Sequence, residues 1–121
     1  MNAREFEALV IAAMDDLPGE FRQRLDNVAI TVADWPTRDE LARTGQRSPY
    51  GLLGLYQGVP LTQRGRGYNL TPPDRIVLYR RPILASADSP EAVRALVQRV
   101  VIHEIAHHFG ISDARLRELG Y

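Results

Sequence analysis

The stretch SPEAVRALVQRVVIHEIAHHFGISD, from Ser89 to Asp113, reads as one long capped helix followed by a turn. Ser89 is a good N-cap, Pro90 suits the first helical position and Glu91 complements the helix dipole. The helix is predicted to run to Phe109, with Gly110 as its C-terminal stop. Within it stands H-E-x-x-H. His103 and His107 are four residues apart, so they differ by about 40° around the axis and about 6 Å along it. Both imidazoles can therefore reach one metal ion from one helix face. Glu104 sits beside the first histidine and can address a metal-bound water without being a ligand. Zinc lowers the pKa of that water to about 7, and a nearby carboxylate takes its proton.

Downstream residues sharpen this reading. Gly110 permits a turn that brings the chain back toward the metal. Asp113, three residues further on, can supply a third, anionic ligand, and three protein ligands plus water is the usual catalytic zinc arrangement. The competing explanations are structural. His103 and His107 share a stripe with Leu96 and Val100, as core histidines do. Asp113 follows Ser112 at the start of a helix, where an acidic residue is favourable anyway. His108 lies about 100° from His107 around the helix, which makes it a surface or supporting residue rather than a ligand.

Ahead of this helix, apolar residues at helical spacing (Phe6, Leu9, Val10, Ala13, Met14, Leu17) predict a helix over residues 4–17, stopped by Pro18-Gly19. A helical turn is expected over 20–25 and an alternating strand over 28–33. Thr37 caps a short helix to about Arg43, closed by Gly45. Six of the nine glycines fall between Gly45 and Pro73, so short strands and loops are expected there: strands over 52–56 and 61–64, a turn at Gly58-Val59 and a loop over 65–73. Residues 75–79 read as a strand, the pair Arg80-Arg81 as its solvated end, and 112–119 as a final helix. The segment QRGRGY, 63–68, reads as a solvated loop in preference to a mobile lid.

The motif HEIAHHFGISD resembles the H-E-x-x-H-x-x-G-x-x-H/D signature of metzincin-type zinc proteases. With LLGLYQGVPL and PDRIVLYRRPI upstream, the whole chain resembles the small bacterial zincin-like metallopeptidase family, formerly a domain of unknown function. The resemblance implies an α+β minimal zincin fold. This is a small twisted mixed sheet packed against an N-terminal helix and a C-terminal active-site helix, with the helices on one side. It implies Zn2+ on His103, His107 and Asp113, Glu104 as general base, and a peptide or protein substrate. Full metzincins place a methionine-containing turn downstream of the motif. Here the only methionines are Met1 and Met14, so the expected cleft lacks its usual lower wall and suits large substrates poorly. Residues 52–56 are the candidate edge strand for an extended peptide.

The rest of the chain narrows the function. Its 121 residues fit one domain, 1–121. There is no cysteine, which excludes disulfides and thiolate metal sites, so any metal is held by nitrogen and oxygen. The formal net charge is zero, with 15 basic residues, all arginine, against 15 acidic ones. Nucleic-acid binding is therefore not expected. The apolar runs are too short to span a bilayer and the N-terminus has no signal-peptide layout, so no membrane association and a cytoplasmic location are expected. Two rival readings are a zinc endoribonuclease and a non-catalytic binding module that keeps the zincin shape. One bacterial RNA-processing family uses H-x-x-x-H-x-x-x-x-x-H, the spacing of His103, His107 and Asp113, but lacks a glutamate after the first histidine.

Overall fold

A computed structural model describes residues 1–58 and 73–121. Six α-helices and three strands are present among them, giving an α+β architecture: α1 (Ala3–Asp15), α2 (Gly19–Arg24), β1 (Val28–Ala33), α3 (Arg38–Thr44), β2 (Gly54–Gln57), β3 (Asp74–Tyr79), α4 (Arg80–Ser86), α5 (Pro90–His108) and α6 (Asp113–Glu118). A single 3-10 turn, Pro49–Gly51, leads into β2. The expected strand 61–64, most of the expected loop 65–73, the segment 63–68 and Val59 lie outside the described residues.

Local chemistry accounts for the helix ends. Asn2 and Thr37 each form a reciprocal capping box, with Glu5 and Glu40 respectively, which satisfies two orphan amides per helix. Ser89 Oγ accepts from the Ala92 amide at 3.1 Å, with Pro90 in the first turn. Gly45 closes α3 with φ 73°, a conformation glycine adopts without a Cβ penalty.

The sheet is mixed, in the order β1-β3-β2. β1 runs parallel to β3 with Val28 opposite Asp74, while β2 runs antiparallel with Tyr56 opposite Ile76. The central position of β3 explains its sequence. Ile76, Val77, Leu78 and Tyr79 are all buried, because both faces of that strand are covered, and such strands read as unbroken apolar runs. Ile76 and Leu78 join the main core, built from Phe6, Val10 and Ala13 of α1 and Val93, Val97, Val101, Ile102 and Ile105 of α5. Each large side chain fully buried there stabilises the fold by about 1.5–3 kcal/mol before entropy is counted.

Two expectations need correction. Helices do not lie on one side of the sheet alone. α1 and α5 cover one face, while Val77 and Tyr79 point to the other, where Leu52, Leu55, Ala33 and Leu41 of α3 pack on them. Arg80 is also no solvated strand end. It is buried and opens α4. Its Nε donates to Asp34 Oδ1 at 2.9 Å and its Nη1 to the Met1 carbonyl at 3.1 Å. The parallel register sets Ala33 opposite Tyr79, so Asp34 and Arg80 leave neighbouring strands side by side. A partner 46 residues away is what makes burial of the guanidinium tolerable. No helix among the described residues is long and apolar enough to cross a membrane.

Candidate metal centre

The C-terminal end of α5 turns by a Schellman arrangement. The Gly110 amide donates to the His107 carbonyl at 3.2 Å, and the Ile111 amide to the Ala106 carbonyl at 2.7 Å. Gly110 has φ 76°, which an L side chain disfavours and a C-terminal glycine supplies. Two residues later Ser112 caps α6, accepting from the Arg115 amide at 3.0 Å. Asp113 is thus the first residue of α6, and the turn swings it back against the last turns of α5. Leu116, fully buried, anchors α6 to the core.

The three donor groups converge. Asp113 Oδ1 lies 3.0 Å from His107 Nε2 and 3.9 Å from His103 Nδ1. Donor atoms of His103, His107 and Asp113 all fall within 4.8 Å of one another. The His107 hydrogen bond, helped by the positive character of His107, His103 and Arg117, holds the Asp113 carboxyl below its usual range. His103 is half-buried, while His107 and Asp113 are exposed. Neither histidine is a core residue, so the first competing explanation fails on burial. The second holds alongside the ligand reading, since Asp113 both opens α6 and faces the imidazoles.

Glu104 stands outside this triad, half-buried, with Oε1 accepting the Tyr56 main-chain N–H at 2.9 Å. The strand register explains the contact. The Tyr79 amide donates to the Leu53 carbonyl, so Leu55 and Gln57 turn their amides toward β3, while Gly54 and Tyr56 turn theirs to the opposite side of β2. That side faces α5. Gly54 makes the approach possible: a Cβ there would sit 2.6 Å from Val100 Cγ1. The candidate edge strand predicted for residues 52–56 is therefore a strand, Gly54–Gln57, beside the histidine helix.

Sequence reading missed the role of Tyr56. Its ring stacks on His108 at a centroid distance of 3.9 Å, and its hydroxyl donates to Asp74 Oδ2 at 2.8 Å. Glu104 and His108 are one turn apart on α5, so a single strand residue meets two successive turns of the helix. His108 is an exposed stacking partner. Gly54, two residues earlier, was the available signal, since glycine inside a strand often marks a close backbone approach.

A family model for zincin-like metallopeptidases matches residues 25–121. No curated protein is similar enough to the chain to match it. The matched region takes in the sheet, the H-E-x-x-H helix and Asp113, and on that match the chain belongs to the zincin-like metallopeptidase family.

Proposed function

We propose that the protein is a zinc-dependent peptidase in which His103, His107 and Asp113 hold the ion and Glu104 is the general base. The observation that carries this reading is the convergence of two imidazoles and one carboxylate within 4.8 Å, with Glu104 adjacent but outside the set. The donor chemistry fits zinc: nitrogen and oxygen ligands, three from the protein, one position left open. Zinc in such a site supplies acidification of a water and polarisation of a carbonyl.

The chain's own residues do the remaining work. Glu104 accepts a proton from the attacking water and returns it to the departing amine nitrogen. The Tyr56 amide orients Glu104 through one oxygen and leaves the other for that transfer.

The test is zinc content and hydrolysis of a peptide mixture by the wild type and Glu104→Gln. Both proteins are expected to hold about one zinc. The variant is expected to lose about 10²–10⁴-fold in rate, the usual contribution of a positioned base. A variant that keeps most of the activity would sink the assignment. Cleavage of RNA in place of peptides would favour the endoribonuclease reading.

A further inference from the structure

A hollow of about 350 Å³ opens beside the proposed catalytic pair His103 and Glu104, within the usual size range of ligand sites. One wall is α5, contributing Leu96, Val100 and His103 at helical spacing. The other is the lead-in to β2, from Gly51 to Gly54. Leu53, Leu96 and Val100 are half-buried apolar surface. Arg99 stands at its margin, exposed.

Several arginines of the fold are paired among the described residues, while others, Arg99 among them, are not. Arg43 pairs with Asp39, Arg80 with Asp34, Arg94 with Asp16 and Arg115 with Glu118. Arg99 makes no ion pair or hydrogen bond among the described residues. Among the described residues, Glu104 is the only acidic one lining the hollow. A planar guanidinium with free donors is suited to bidentate carboxylate recognition. Gln46 adds a second polar group, its side chain lying over Gly51, where a Cβ would sit 2.6 Å from Gln46 Oε1.

Position sets the reading. Arg99 lies one helical turn before His103, about 6 Å along α5. An extended peptide advances about 3.3 Å per residue. A substrate carboxylate meeting Arg99 therefore belongs within two residues of the scissile bond. We propose that Arg99 is a specificity-determining residue: it selects peptides carrying a carboxylate within two residues of the scissile bond, with an apolar side chain between filling the hollow. This rests on the peptidase reading above. The carboxylate is either an acidic side chain or the free C-terminus of the peptide.

The experiment compares zinc-loaded wild type with Arg99→Glu on peptides that place Asp or Glu against Asn or Gln near the cleavage point, each as free acid and as C-terminal amide. Hydrolysis is followed by mass spectrometry. Binding of the same peptides, fluorescently labelled, to zinc-loaded Glu104→Gln is followed by anisotropy. The expected result is a wild-type preference for carboxylate peptides with an apolar neighbour. In Arg99→Glu, KM for them rises about tenfold and kcat changes little, because the guanidinium binds ground state and transition state alike. The amide arm assigns the preference to the terminus, and the Asn/Gln arm to a side chain. Hydrolysis that ignores the carboxylate, or a preference that survives Arg99→Glu, overturns the inference and leaves the peptidase reading intact. Carboxylate-dependent binding without hydrolysis by the wild type, lost when Arg99→Glu is added to Glu104→Gln, overturns the peptidase reading and supports Arg99 as the recognising group. Neither binding nor hydrolysis overturns both.

Discussion

The Tyr56 main-chain N–H donates to Glu104 Oε1 at 2.9 Å, and this bond ties the outer edge of the sheet to the helix that carries both histidines. A backbone donor has no rotamer to lose, so it holds a carboxylate more rigidly than a side chain would. Because the Tyr56 amide points away from β3, it can be removed without breaking the β2–β3 ladder.

That geometry separates two variants. Tyr56→Ala keeps the donor and loses the ring stacked on His108. Tyr56→Pro loses both, and proline is tolerated where the N–H faces away from the ladder. Any difference between them reports the amide. A hydrogen bond to a charged group contributes about 1.5–3 kcal/mol, so kcat for peptide hydrolysis is expected to be at least about tenfold lower in the proline variant. Equal kcat values would mean that the amide does not position Glu104.

The same strand contact predicts the effect of Gly54→Ala. The added methyl meets Val100 Cγ1 at 2.6 Å and the Val77 carbonyl oxygen at 3.2 Å. β2 must move away from α5, at an overpacking cost of about 1–3 kcal/mol. Urea denaturation is expected to show that loss, with peptide hydrolysis falling as the Tyr56 amide withdraws from Glu104. Val100→Ala in the same chain is expected to restore part of both. A Gly54→Ala protein as stable and active as the wild type would contradict the close approach.

Zinc affinity is expected to distinguish two acidic residues of α6. Asp113 faces His107 at 3.0 Å, whereas Glu118 is engaged with Arg115 at 2.8 Å. Asp113→Ala is expected to weaken zinc binding more than the about 10–100-fold typical of losing a supporting residue, and Glu118→Ala to leave it nearly unchanged. Competition titration with a chromophoric chelator measures both. The reverse order of affinities would reassign the third ligand to Glu118.

Acid sensitivity is expected at the opposite end of the sheet. The Arg80 hydrogen bond, with the charges of Arg80 and Arg81, holds the Asp34 carboxyl below its usual range. A depressed carboxyl contributes stability above the unfolded-state pKa of about 3.9 and loses it as pH falls through the lower folded value. Asp34→Asn lacks that contribution at every pH and leaves the buried Arg80 without its anion. The variant is expected to melt below the wild type at pH 7, with the gap narrowing below about pH 4. A gap independent of pH would show that the charge of Asp34 is not what Arg80 requires.

What the sequence determined by itself was local in origin. Ser89, Pro90 and Gly110 bound α5, and i, i+4 spacing aligned His103 with His107, because caps and helical periodicity act over a few residues. The convergence of Asp113 with the histidines was nearly as legible, since only a glycine turn and a cap lie between them. The tertiary structure alone decided the rest. Tyr56 and Glu104 are 48 residues apart and Arg80 and Asp34 are 46 apart, and no periodic pattern links such pairs. They meet because β3 pairs with β1 on one side and β2 on the other, and because Gly54 lets β2 approach α5. Strand order and interelement distance are set by how the whole core packs, and a linear pattern of apolar residues carries no measure of either.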